Sequence, residues 1–150
     1  MTRMVRKISH ICLLVHDADA SAAHWRETFG FVQVNDLTFA GEGVRSVFLA
    51  ANGTTDEIAV EFMELIDKAD PDHPLAQRLA KTGEGFYLVC MQVEDAAASA
   101  AALTGKGLRV SKRPALGAGM GGRWLLHPKD ATGVMIEAIE DDVLKVEKVD

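Results

Sequence analysis

The sequence predicts an α+β fold built as two tandem βαβββ modules, and three observations carry that prediction. The order of strand-like and helix-like segments runs through once and then restarts. The end of the first strand, Val15-His16-Asp17-Ala18, is matched by Val93-Glu94-Asp95-Ala96 at an offset of 78. The last strands match as well, Val60-Glu61-Phe62-Met63 with Ile136-Glu137-Ala138-Ile139, at an offset of 76.

Lys7 to Val15 has leucine and β-branched residues on both parities, as a strand covered on both faces requires. A helix from about Asp19 to Phe29 follows, closed by Gly30. Next come a short strand, Phe31 to Val34, an irregular piece through Gly41 and Gly43, a strand Val44 to Ala51, a turn at Asn52-Gly53, and a strand Glu57 to Leu65. A helix from about Pro74 to Lys81 links this to the second round. That round reads strand Phe86 to Val93, alanine-rich helix Asp95 to Thr104, strand Leu108 to Ser111, a glycine-rich crossing Gly117 to Gly122, strand Arg123 to His127 and final strand Gly133 to Glu140. The bounds are module 1 at about 7–66, a linking helix at about 67–83, module 2 at about 84–141 and a tail at 142–150, all within a single domain, 1–150.

A net charge of −6 and a pI of about 5.3 lack the basic footprint of a nucleic-acid or anionic-membrane binder, so a small molecule is the expected partner. No apolar run approaches a membrane span, MTRMVRK has no apolar stretch of a signal peptide behind it, and a cytoplasmic location is expected. Cys12 and Cys90 are too few for a disulfide framework and read as reduced core thiols.

The repeat also points to a site. His10 lies in the first strand among apolar residues, and Glu61 and Glu137 lie in the last strands of the two modules, where a lone buried carboxylate is costly. A histidine and two pseudo-equivalent carboxylates meeting between the modules would explain all three, with a shared divalent cation as the natural reason. The alternative is that His10 hydrogen-bonds Glu61 or Glu137 across the cavity and needs no ion.

On His10, Glu61 and Glu137, together with ISHICLLVHDADASAAHW…TFGF, VEFMELIDKADPDHPLAQRLAKTGEGFY and LGAGMGGRWLLHPKDATGVMIEAIE, the chain resembles the vicinal-oxygen-chelate superfamily. That is the glyoxalase, bleomycin-resistance and extradiol-dioxygenase group, and the methylmalonyl-CoA epimerases are the most similar branch. The resemblance spans roughly residues 7 to 141. It implies curved mixed sheets around a central cleft, a divalent metal (Co, Zn, Mn or Mg), a small oxygen-rich or acyl-CoA substrate and, often, a homodimer. Carried over by position, the metal-ligand places are His10, Glu61, Leu88 and Glu137, and Leu88 has no donor atom. The epimerases' second carboxylate on the third strand falls at Ser46. Glu137 is then the expected catalytic carboxylate as well as a metal ligand, and Ser46, Leu88, His127 and Lys129 are expected to touch substrate.

The function this implies is metal-assisted proton transfer of the isomerase or lyase type, in an altered site; the alternative is a non-catalytic, metal-free small-molecule-binding protein of the same fold. A thiolate of Cys90 as a displaced ligand is disfavoured by the ~6.6 Å step along a strand from position 88. Tyr87, by alternation, is expected to face away from Leu88 and pack on a helix. His16, His24 and His73 are expected in solvated or structural roles.

Overall fold

The computed structural model describes residues 3–149, so the outermost limits assigned to the domain, 1 and 150, lie outside it. In chain order the elements are β1 (Val5–Leu14), α1 (Ala18–Phe29), β2 (Val32–Phe39), β3 (Val44–Ala50), β4 (Ala59–Leu65), α2 (Pro74–Thr82), β5 (Gly85–Val93), α3 (Ala96–Gly105), β6 (Val110–Arg113), β7 (Arg123–Leu126) and β8 (Ile136–Ile139). The strands form one curved sheet in the order β2-β3-β4-β1-β5-β8-β7-β6. Each module is therefore a four-stranded half, and β1 and β5 join the halves as an antiparallel seam.

The duplication holds residue for residue at the seam. His10 stands opposite Cys90, Ile11 opposite Val89 and Cys12 opposite Leu88. Exchanging residues at the predicted offset of 78 returns the same three pairs, so a pseudo-two-fold axis passes by Ile11 and Val89. The parallel neighbours repeat too, Cys12 beside Glu61 and Cys90 beside Glu137.

The helix starts are equally paired. Asp17 accepts a hydrogen bond from the Ala20 amide at 3.0 Å, and Asp95 from the Ala98 amide at 2.9 Å. A carboxylate beyond or within the last strand of each module adds to this: Glu64 accepts from Ala18 N at 3.3 Å and Glu140 from Ala96 N at 2.7 Å. Negative charge at a helix N-terminus is favourable, and here it also ties each helix to its own sheet. Trp25 of α1 packs edge-on against Phe62, 5.3 Å between centroids, and Trp124 of β7 donates to Ser99 of α3 at 2.9 Å.

Several strands differ in their bounds from the sequence reading, β6 lying at Val110–Arg113 and β8 at Ile136–Ile139. β2 continues through Asn35–Phe39, expected as irregular, because it pairs with β3 all the way to Phe39–Val44. The tail turns back onto the first module: Asn35 Nδ2 donates to the carbonyls of Val143, Leu144 and Val146 at 2.9, 3.3 and 2.8 Å, and Val143 and Leu144 are buried. α1 and α3 cover the outer face of the sheet, and the inner face keeps a separate apolar cluster around the cavity. Among the described residues no helix is long and apolar enough to cross a membrane.

Candidate active site

The inner face of the sheet holds a cavity of ≈ 390 Å³. His10 and Glu61 meet on its wall, with Nε2 3.2 Å from Oε1. An ionised carboxylate only accepts, so Nε2 carries the proton of that bond. The other ring nitrogen, Nδ1, is 2.9 Å from the Ser9 hydroxyl, and the ring stands edge-on to Phe48 at 5.2 Å. Ser9 is next to His10 in sequence yet buried with it. It is the extra residue of a β-bulge, since Ile8 faces Met91 and His10 faces Cys90.

The same bulge recurs in β5. Cys12 faces Leu88 and Leu13 faces Phe86, leaving Tyr87 as the extra residue at the position equivalent to Ser9. Strict alternation therefore fails here, and Tyr87 lines the cavity together with Leu88. Its ring also packs on a helix as expected, with the Arg78 guanidinium of α2 4.8 Å from its centroid. Burial pushes its phenol above the ordinary value, assisted by Cys12 and opposed by Arg78.

Glu137 faces the cavity from β8, and its partner is one the sequence reading did not anticipate. Arg123, the first residue of β7, donates from one terminal nitrogen to Glu137 Oε2 at 3.0 Å, from the other to Glu42, and from Nε to the Pro114 carbonyl at 2.7 Å. In register, Ser46 faces Met63 and Arg123 faces Ile139, so Arg123 stands where Ser46 stands in the first module. Extending the repeat alignment through the third strand would have exposed it.

The two carboxylates are driven in opposite directions. Burial alone would raise Glu61, but attraction to His10 and the hydrogen bond from it, with smaller help from Ser46 and Cys12, hold it below its ordinary value. Burial raises Glu137 above its ordinary value; Arg123 opposes the rise and the facing Glu61 reinforces it. Cys12 and Cys90, both fully buried as expected, are pushed up by burial first and by the Glu61 and Glu137 charges next.

The remaining expected site residues separate. Leu88 lines the cavity, buried among apolar neighbours. Ser46 lies on the same face between Val44 and Phe48 but does not line the cavity; its hydroxyl is near enough to Glu61 to help hold it down, yet makes no hydrogen bond. His127 and Lys129 are exposed beyond the end of β7, with His127 Nδ1 accepting from the Lys129 amide at 3.1 Å, and neither lines the cavity. His73 is structural: Nδ1 accepts from Leu75 N at 3.1 Å to cap α2, and Nε2 donates to the Glu42 carbonyl at 2.9 Å.

The donors that converge closely enough for one divalent ion are His10, Cys90 and Glu137, and Glu61 meets that group through His10. His10, Glu61 and Glu137 supply one imidazole and two carboxylates on one cavity, and ligand atoms of His10, Cys90 and Glu137 lie within 4.8 Å of one another. Cys90 comes this close because it stands directly opposite His10 across the seam, which compensates for the step along β5 that disfavoured it. A metal taking Nε2 would move the ring proton to Nδ1, where the Ser9 oxygen is placed to accept it.

Comparison with known proteins agrees with this architecture. The Glyoxalase/Bleomycin resistance protein/Dioxygenase superfamily profile matches residues 9–124. The ethylmalonyl-CoA/methylmalonyl-CoA epimerase of Cereibacter sphaeroides is 30% identical over 137 residues, covering 89% of this chain and 97% of the relative. The human mitochondrial methylmalonyl-CoA epimerase is 28% identical, covering 87% and 72%. Among solved structures, the Streptomyces coelicolor methylmalonyl-CoA epimerase in complex with 2-nitronate-propionyl-CoA superposes with a TM-score of 0.74 at 32% identity, covering 90% of this chain and 94% of that one. With the duplicated βαβββ architecture and the profile match over most of its length, the chain belongs to the glyoxalase/bleomycin resistance protein/dioxygenase superfamily, in which it is similar to methylmalonyl-CoA epimerases.

Proposed function

We propose that this protein is a methylmalonyl-CoA-epimerase-like isomerase that moves the proton on the carbon next to the carbonyl of a small acyl-CoA substrate. The observation that carries the reading is the placement of His10, Glu61 and Glu137 on one cavity, from β1, β4 and β8 of two equivalent modules. Inversion at carbon needs a proton carrier on each face of the substrate. Glu137 is the first. The second is Tyr87, whose phenol stays protonated and reaches the same cavity, in place of the carboxylate that Ser46 does not supply.

His10, Cys90 and Glu137 would hold the divalent ion, with Glu61 meeting that group through His10. When bound, such an ion polarises the carbonyl whose neighbouring C–H bond breaks. The apolar wall of Leu88 and Phe48 keeps water from the reacting carbon. The reading is tested by incubating methylmalonyl-CoA with the protein in heavy water and following the α-proton by NMR. Catalysed exchange that disappears in Glu137→Gln is expected. No exchange above background with methylmalonyl-CoA or with other branched or carboxylated acyl-CoAs would leave the metal-free binding protein as the better description.

A further inference from the structure

The strands β6 and β7 bring two arginines face to face, since Arg113 and Arg123 are direct cross-strand partners. Like charges so placed repel unless an anion stands between them. Glu42 is that anion, and it comes from the other module, on the short 3-10 turn Ala40–Glu42 between β2 and β3. One carboxylate oxygen takes Arg123 and the other takes Arg113 at 3.2 Å. All three side chains line the cavity that holds Glu137, and the Arg123 guanidinium that holds Glu42 also holds Glu137.

The clip is built for a planar two-oxygen anion, one oxygen to each guanidinium. Its deep half is rigid: the Arg123 side chain is 5% exposed and is fixed by the Pro114 carbonyl through Nε. Its outer half opens to solvent, the Arg113 side chain being 40% exposed. The present occupant sits on a short turn between two strands. Glu42 lies between Gly41 and Gly43, the latter in the left-handed region at φ 71°, and its backbone is held through its carbonyl by His73.

We propose that Arg113 and Arg123 are the receptor for a free carboxylate on the substrate, and that Glu42 is the internal carboxylate displaced when substrate enters. This rests on the proton-transfer reading and assigns the residues that select, within it, substrates in which a carboxylate and the carbonyl flank the same carbon. A carboxylate seated on Arg123 would lie next to Glu137, which sets the reacting carbon beside its proton carrier.

The test is calorimetric titration with methylmalonate and malonate, with the uncharged malonamide as control, on the wild type, Glu42→Gln and Arg113→Ala. Removing the competing internal charge is expected to tighten methylmalonate binding about tenfold, and removing Arg113 to weaken it about tenfold, as for a charge-assisted contact. Malonamide is expected not to bind. Equal affinities in the wild type and Arg113→Ala, or malonamide binding as well as malonate, would overturn the proposal. Should Glu42→Gln fail to fold, Arg113→Ala and malonamide decide the question without it. Because the readout is binding without turnover, carboxylate binding through Arg113 alongside no α-proton exchange on any acyl-CoA would remove the isomerase reading and leave the receptor standing.

Discussion

Ser9 and Tyr87 are the same residue in two copies of one bulge, and each copy serves its neighbour differently. Ser9 orients His10 through Nδ1, whereas Tyr87 turns its own ring onto the cavity beside Leu88. Tyr87→Phe keeps the ring and the stacking on Arg78 and loses only the hydroxyl. With methylmalonyl-CoA in heavy water, this variant is expected to retain exchange of the α-proton from one epimer while interconversion of epimers falls about 100-fold or more. Full epimerisation by Tyr87→Phe would assign the second proton to another group.

Leu88→His would restore a nitrogen donor at the position equivalent to His10. The polar ring costs about 1–3 kcal/mol in an apolar wall when no ion is present. Adding Co²⁺ or Zn²⁺ should raise its melting temperature by more than it raises that of the wild type, and His10→Ala should abolish the rise in both backgrounds. A melting temperature of Leu88→His indifferent to both ions would show that the donors do not converge on a common ion.

Glu61→Gln should lower stability at neutral pH by about 2 kcal/mol, because it removes the charge that His10 holds. The folded-state pKa of Glu61 is depressed, so its stabilising contribution is complete above the ordinary glutamate value and is lost as pH falls through the folded value. Urea unfolding of wild type and variant should therefore differ at pH 7 and converge in acid. A constant difference across that range would place the loss in packing instead.

Cys12 and Cys90 are buried, and their thiols are pushed well above the ordinary value. The native protein should leave both unreacted with a thiol-specific disulfide reagent at pH 8, and release two equivalents after denaturation. Rapid labelling of either thiol in the native state would contradict their burial. A divalent ion that draws Cys90 into its shell should protect it further.

Most of the architecture was legible because it is written twice. Element order, both offsets and the placement of His10, Glu61 and Glu137 follow from repetition and strand alternation, which are local properties. What escaped depends on a break in alternation or on a distant partner. A bulge shifts parity at Tyr87, and no residue near it announces that shift. The role of Arg123 depends on Glu42, 81 positions away, and on Glu137 in the neighbouring strand. β2 runs on through Asn35 because β3 pairs with it to Phe39, and Asn35 fastens the tail because it finds three carbonyls more than a hundred residues on. Cys90 lies a step along its own strand from position 88, and its nearness to His10 arises across the seam, which no single strand shows.

The antiparallel seam of β1 and β5 has one more effect, on how the cavity comes into being during folding. Its polar groups are contributed by both halves, and each leans on the far side: Glu42 of the first module neutralises Arg113 and Arg123 of the second, and Cys90 closes on His10. A half folded alone would expose the inner-face apolar residues that the two halves cover for each other, such as Leu14 and Phe48 with Leu88 and Ile139. Docking of the halves and assembly of the cavity are therefore one cooperative event. Chains cleaved between the modules should lose ligand binding and compact structure at the same denaturant concentration, with no stable half-protein in between.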